Sequence, residues 1–383
     1  MDTITAMVLE QFGQPLVRRE FPVPVLQPGE VLLRLRASGV CGSDLDIVHG
    51  KDPRAVLPLI PGHEGIGEIV ALGGEKEDIG GETLQVGDLV AFNRGLTCGQ
   101  CVYCTVRRQP ELCAERETYG ISMGGGNGVL TPTPLPRSAA LRSGEGNGNG
   151  VPLSGCYAEM IVLRAGTEII RLPAGADPVA LVAATCSGAT AAHAVELSGI
   201  EPGDTVVVIG PGPLGLYAAA LALSQGAGTV VMIGRRRDRR LELAEAMGCT
   251  AVSTAGTALC GRVGLIADLT CDRGAGAVVD CAGTAESIPE SLELVAAGRT
   301  VTLPGLAAPL PGLCLDLYIL ARKQVRLQGV WTSSARHLGQ ALAVAQSPRY
   351  HLSDMVSHVL PLAQANGGLR LLREKQAVKV VLI

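Results

Sequence analysis

TVVVIGPGPLGLYAAALALSQGAGTVVMIG, residues 205–234, is a run of 30 positions without a charged side chain. It is longer than a membrane span requires, but Pro211, Pro213 and six glycines interrupt it. The interruptions divide it into a β-branched run (205–210), an apolar helix closed by glycine (213–226) and a second β-branched run (229–234). Such runs bounded by glycine read as buried strands, so the order is strand, turn, helix, strand: a βαβ unit and not a membrane helix. At the first junction stands Gly210-Pro211-Gly212-Pro213-Leu214-Gly215. A G-x-G-x-x-G that follows a strand and opens a helix suits a dinucleotide. Gly210 permits the tight turn, Gly212 lets a pyrophosphate approach the backbone, and Gly215 lets helix and strand pack closely. The helix start adds free N–H groups and a partial positive charge for the phosphates.

The same alternation continues downstream. RRLELAEAMG (239–248) and SIPESLELVAAG (287–298) read as helices, and GAVVDCAG (276–283) and GRTVTLPG (298–305) as strands. Alternating strands and helices imply a doubly wound parallel sheet. At the end of the second strand an NAD site normally carries an acidic residue for the adenosine ribose. This chain has Gly234-Arg235-Arg236-Arg237 instead. Cations at a helix start oppose its dipole, so a bound anion there would relieve a cost, and the 2′-phosphate of NADP fits Arg235 and Arg236. The competing reading is a solvated charge run balanced by Asp238, Glu242 and Glu245. The arginines favour NADP over NAD.

Upstream, VLLRLRASGV (31–40) alternates like a half-buried strand, and GIGEIVALG (65–73) and GDLVAF (87–92) are further short strands between glycines. The first hundred residues therefore read as a compact β-rich unit. Residues 120–155, rich in Gly, Pro, Ser and Asn, read as a long surface loop, with a lid or interface arm as the alternative.

Over the 383 residues, 47% are hydrophobic and 18% charged, which supports a sizeable core and excludes intrinsic disorder. A net charge of −4 and 3% aromatic residues speak against a nucleic-acid or anionic-membrane partner. The N-terminus lacks the basic and apolar regions of a signal peptide, so a cytoplasmic location is expected. Cys98, Cys101, Cys104 and Cys113 are the clustered members among 12 cysteines, and in such a chain they point to metal ligation. Four thiolates at C-x2-C-x2-C-x8-C can surround one structural Zn²⁺. A ferredoxin-type iron–sulfur run also begins C-x2-C-x2-C, but its fourth cysteine comes after three residues and precedes proline. Cys41 in GVCGSD and His63 in PGHEG are suitable catalytic-zinc ligands by type, though each taken alone also reads as a buried structural residue.

GVCGSD, PGHEGIGEIVALG, VGDLVAF, CGQCVYC…LC, YAEMIVL, the glycine loop, and VLPLAQANGGLRLL…VKVVLI occur in one order. That order resembles the zinc-dependent medium-chain alcohol dehydrogenase superfamily from about residue 5 to the C-terminus, apart from the loop at 120–155. The resemblance implies that Cys41, His63 and Cys186 hold a catalytic zinc, with Glu64 able to exchange with zinc-bound water. It implies that Asp44 steadies His63, that Ser43 bonds the substrate oxygen, and that Thr190 and Leu214 line the nicotinamide site. Cys98, Cys101, Cys104 and Cys113 match the structural-zinc lobe. The chain departs from the pattern in its eight-residue last cysteine gap, usually seven, and in the missing acidic residue after the second strand. Asp46 stands where many members have a relay histidine, with His49 as a nearby substitute, and the glycine-rich insertion has no counterpart.

The resemblance implies an α/β chain with a β-rich, GroES-like catalytic domain at 1–186 and 332–383 around a Rossmann domain at 187–331. The implied activity is hydride transfer between an alcohol or carbonyl and NAD(P) at a catalytic zinc, with two zincs per chain, a small-molecule substrate, and a homodimer or homotetramer. The alternatives are a zinc-independent enoyl or quinone reductase on the same fold, which usually lacks these ligands, and a non-catalytic zinc-binding protein.

Overall fold

The computed structural model describes residues 3–122 and 151–383, so residues 123–150 of the expected loop lie outside the described residues. Two compact units are present: Met1–Cys186 with Val356–Ile383, and Ser187–Met355.

The first unit opens with the antiparallel pair β1 (Thr3–Val8) and β2 (Val17–Pro22). Next come β3 (Val31–Val40), helix α1 (Gly42–Val48) and β4 (Gly65–Leu72). β3 is buried at both ends and partly open only around Arg34 to Arg36. The simple alternation read from the sequence is therefore not the burial pattern of the strand, because β3 is central in its sheet. β5 (Leu89–Phe92) and β6 (Gly95–Leu96) follow, then α2 (Val102–Thr105) and β7 (Glu117–Thr118), which pairs with β6. β8 (Met160–Leu163), β9 (Ile169–Arg171) and the short helix α3 (Pro178–Leu181) complete this part.

The second unit runs α4 (Ser187–Ser198), β10 (Thr205–Ile209), α5 (Pro213–Ser224), β11 (Thr229–Gly234) and α6 (Arg239–Ala246). β12 (Thr250–Ser253), α7 (Leu259–Thr270), β13 (Ala275–Asp280), α8 (Ser287–Leu294) and β14 (Val295–Leu303) continue it. It ends with α9 (Leu317–Lys323), β15 (Arg326–Gly329) and α10 (Ala335–Ala345). Its strands pair in parallel in the order β12-β11-β10-β13-β14-β15. That is the doubly wound order, and the glycine loop leaves β10 at the switch point where such sheets bind nucleotides.

Two boundaries differ from the sequence reading. VAAG at 295–298 belongs to β14, because Val295 turns extended and ends α8. Lys323 Nζ closes that helix end by donating to the carbonyls of Leu292 (2.8 Å), Glu293 (2.9 Å) and Val295 (3.2 Å). Residues 332–355 were expected in the β-rich domain but stay with the second unit. The reason is packing: α10 lies on α4, and a Cβ added at Gly188 would stand 2.9 Å from Ala341. The chain then returns to the first unit through β16 (Val356–Leu360), α11 (Ala365–Arg373) and β17 (Lys379–Leu382). β17 runs antiparallel to β3, completing the sheet order β16-β17-β3-β4-β5-β9, with β8 also on β3. No single helix among the described residues is long and apolar enough to cross a membrane.

Candidate active site

Cys41 lies where β3 gives way to α1, with an extended backbone (φ −114°, ψ 156°). His63 and Glu64, both buried, immediately precede β4. Cys186 follows a 3-10 turn at Val182–Thr185. One ligating atom from each of Cys41, His63, Glu64 and Cys186 falls in a group whose members all lie within 4.8 Å of one another. Glycine makes this approach feasible: a Cβ at Gly39 would stand 2.0 Å from Glu64 Oε2.

Asp44, on the first turn of α1, orients the group. Its Oδ1 lies 3.2 Å from His63 Nδ1, and its Oδ2 accepts from the Cys41 N–H at 2.9 Å and from the Tyr157 hydroxyl at 2.8 Å. A carboxylate on one ring nitrogen frees the other to ligate. Ser43 Oγ is 3.4 Å from His63 Nε2 and 3.4 Å from Cys41 Sγ, so its hydroxyl is at the cluster. Asp46 and His49 lie outside this group of donors. Asp46 is partly buried on α1, and exposed His49 turns Nδ1 to the Leu45 carbonyl at 2.6 Å.

Three buried residues in the group were missed by the sequence reading. Lys379 Nζ donates to Glu64 Oε2 and, at 3.2 Å, to the Val40 carbonyl. Arg94 Nη1 donates to Cys186 Sγ. The Tyr157 hydroxyl is the third. Lys379 did leave a signal, a lone lysine among apolar residues in AVKVVLI; Arg94 and Tyr157 left none.

The electrostatics fit a cation. The adjacent Cys186 thiol holds Cys41 well below the usual thiol range despite burial, with help from the charge of His63. Burial opposes the charge on His63, but Asp44 and Cys41 outweigh it and raise the imidazole to about 10. Burial lifts Glu64 to about 7 against the pull of Lys379, and Glu64 Oε1 has no hydrogen-bond partner among the described residues. A divalent metal is the species that displaces the shared protons from such a set. Two sulfurs, an imidazole nitrogen and a carboxylate oxygen form a zinc-type donor set.

The four-cysteine lobe is formed as well. The ligating sulfurs of Cys98, Cys101, Cys104 and Cys113 lie within 4.8 Å of one another. Cys101–Cys104 and Cys98–Cys113 are each 3.6 Å apart, near the roughly 3.8 Å edge of a tetrahedron with Zn–S bonds of about 2.3 Å. Gly99 (φ +70°) makes the knuckle, and a 3-10 turn at Pro110–Leu112 takes up the long last gap before Cys113.

In the second unit, Gly210 (φ +100°) turns the chain out of β10. A Cβ at Gly215 would stand 2.0 Å from the Gly210 carbonyl oxygen, which accounts for that glycine by packing. Gly212 is different: it has an ordinary φ of −76°, and a Cβ there would meet nothing within 4 Å among the described residues. The protein itself does not require glycine at 212, whereas a phosphate approaching the backbone does. Pro213 and Leu214 open α5, and Thr190 lies partly buried on α4. Arg235 and Arg236 are exposed just after β11, where a Cβ at Gly234 would lie 2.9 Å from Pro211 of the loop. Arg237 is engaged by Glu245 at 2.7 Å.

Residues 27–174 match the family model described as alcohol dehydrogenase GroES-like domain, and residues 213–347 match that of zinc-binding dehydrogenase. The 5-exo-hydroxycamphor dehydrogenase of Pseudomonas putida is 30% identical over 95% of this chain and 94% of its own. A solved alcohol dehydrogenase from Thermotoga maritima is 36% identical, with a TM-score of 0.89 over 99% of each chain. A zinc-binding dehydrogenase from Sinorhizobium meliloti 1021, solved with NADP, is 26% identical with a TM-score of 0.81 over 100% of both chains. With the GroES-like and Rossmann units in this order, the chain belongs to the zinc-dependent medium-chain alcohol dehydrogenases, oxidoreductases that act on CH–OH groups.

Proposed function

We propose that this chain interconverts an alcohol and a carbonyl compound using NADP(H), with one catalytic and one structural zinc. The observation that carries the reading is the buried group of Cys41, His63, Glu64 and Cys186 in a chain that also holds an open cradle at Gly212. Cys41, His63 and Cys186 are the zinc ligands, Glu64 is the exchangeable carboxylate, and the four-cysteine lobe holds the structural ion. Bound there, zinc supplies a Lewis acid for the substrate oxygen, and NADP supplies the hydride acceptor or donor. Ser43 Oγ takes the proton of the substrate hydroxyl. Asp46, three residues on and therefore on the same helical face, or His49 beyond it, passes that proton to water. Asp44 keeps His63 in one tautomer. Gly210, Gly212, Pro213, Leu214 and Gly215 seat the pyrophosphate, Thr190 and Leu214 flank the nicotinamide, and Arg235 and Arg236 bind the 2′-phosphate.

None of the 12 cysteines is paired in a disulfide, which supports the cytoplasm, where thiols stay reduced. The edge strand β15, near exposed Leu317, Tyr318 and Trp331, supports assembly as a homodimer or homotetramer.

The test is equilibrium binding of NADP(H) and NAD(H) to the zinc-loaded chain and its Arg235→Ala variant, with metal analysis and alcohol-dependent nucleotide reduction. The expected result is two zincs, tighter NADP(H) binding, and a roughly 10–100-fold loss of NADP(H) affinity in the variant with NAD(H) unchanged. NAD(H) preference untouched by the mutation overturns the NADP assignment. Absence of nucleotide binding overturns the whole reading.

A further inference from the structure

We propose that Arg94 is a positioning residue of the catalytic metal site: its guanidinium holds the Cys186 thiolate through an N–H···S bond and completes the buried charge balance around the ion. The inference rests on the reading of Cys41, His63, Glu64 and Cys186 as a zinc site.

Arg94 is 9% exposed, and its Nη1 donates to Cys186 Sγ. The backbone that carries it is pinned on both sides. The Arg94 carbonyl accepts from the Tyr119 N–H at 3.0 Å. The preceding Asn93 gives Nδ2–H to Glu168 Oε2 at 2.8 Å and accepts the Gly95 N–H on Oδ1 at 3.2 Å. A cation aimed from fixed backbone at a ligand sulfur makes a charge-assisted hydrogen bond and restricts where that sulfur can sit.

The charges around the site show what the arginine is for. Among the described residues in direct contact with the four donors, the anions at a loaded site are the thiolates of Cys41 and Cys186 and the carboxylates of Asp44 and Glu64. Against them stand the zinc dication, Lys379 on Glu64, and Arg94 on Cys186, with His63 neutral as a ligand. The two sets cancel. Without Arg94 the buried site carries a net negative charge, which is costly in a low-dielectric interior.

The test uses the full chain loaded with zinc, and in parallel with cobalt, in wild type, Arg94→Met and Arg94→Lys. Chelator competition reads metal retention at each site, and with zinc kept in the four-cysteine lobe the thiolate-to-cobalt absorption reads the Cys41 and Cys186 bonds together. Arg94→Met is expected to lose the catalytic-site metal roughly 10–100-fold more readily and to shift the cobalt absorption. The four-cysteine metal stays bound, and Arg94→Lys recovers part of the loss by restoring the charge. Arg94→Gln, planar but uncharged, replaces the methionine variant if that one does not fold, with the same expected loss. Wild-type retention and an unshifted absorption in the uncharged variant overturn the inference, as does a change confined to KM for acidic substrates. A wild-type chain that binds no metal outside the four-cysteine lobe overturns the underlying zinc reading and this inference with it.

Discussion

The Tyr157 hydroxyl donates a 2.8 Å hydrogen bond to Asp44 Oδ2, while Asp44 Oδ1 lies 3.2 Å from His63 Nδ1, so a buried phenol sets the carboxylate that sets the imidazole. Gly62 makes room for the ring: its φ is +91°, and a Cβ there would lie 2.4 Å from Tyr157 Cδ1. Tyr157→Phe removes one of two donors to Oδ2 and leaves the Cys41 N–H alone on it. The expected cost is about 1–3 kcal/mol of stability, with weaker metal retention because Asp44 no longer has one orientation. Denaturant midpoints and chelator competition check this. Unchanged values in both would show that the phenol does not position Asp44.

Glu64 and Lys379 are both fully buried and paired, with Lys379 also on the Val40 carbonyl. Lys379→Met strands a carboxylate in the interior. The expected destabilisation is about 3–5 kcal/mol. Adding Glu64→Gln removes the stranded charge and should recover most of the loss. The comparison of single and double variants by denaturant midpoint decides the point: a double variant as unstable as the single one would mean that the pair is not the source.

The glycine loop offers a discriminating pair of substitutions. Gly215→Ala drives a Cβ to 2.0 Å from the Gly210 carbonyl oxygen, so the α5 packing must shift and melting should fall. Gly212→Ala meets nothing within 4 Å at an ordinary φ of −76°, so stability should stay within about 0.5 kcal/mol of wild type. Nucleotide affinity should nevertheless drop in Gly212→Ala, because its methyl occupies the space a pyrophosphate needs. Full affinity in that variant would count against the cradle.

What the sequence made legible was local. The 30 uncharged positions from Thr205 carried the βαβ unit, and the spacing of the cysteines carried the four-cysteine lobe. The partners of the candidate ligands were hidden because sheet pairing and packing bring them together across the chain. Arg94 and Cys186 are 92 residues apart, Asp44 and Tyr157 113, and Glu64 and Lys379 315. Lys379 reaches Glu64 only because β17 pairs with β3, a register that AVKVVLI does not reveal by itself. Helix α7, LCGRVGLIADLT, was not read because it buries little beyond Arg262, Ile266 and Thr270 and so shows a weak period. Residues 332–355 were misassigned for a related reason: the partner of α10 is α4, far back in the sequence.

His337, at the third position of α10, accepts the Ser334 N–H on Nδ1 at 3.1 Å, which requires a neutral ring. Burial lowers its pKa to about 4, helped by stacked His193 at 4.6 Å and by Arg336, and opposed by Glu196, whose Oε2 lies 3.4 Å from Nε2. An unfolded histidine titrates near 6.5, so between about 6.5 and 4 the unfolded chain binds the extra proton. Stability from this group is therefore full above about 6.5, falls as the pH drops through that window, and changes no further below about 4. His337→Asn keeps an acceptor for the N-cap but does not titrate. Carboxylates also titrate toward the acid end of this range, so the informative quantity is the difference in unfolding free energy between wild type and variant. That difference should be constant above about 6.5 and shrink steadily toward pH 4. A difference independent of pH across the window would mean that His337 is not held neutral by its surroundings.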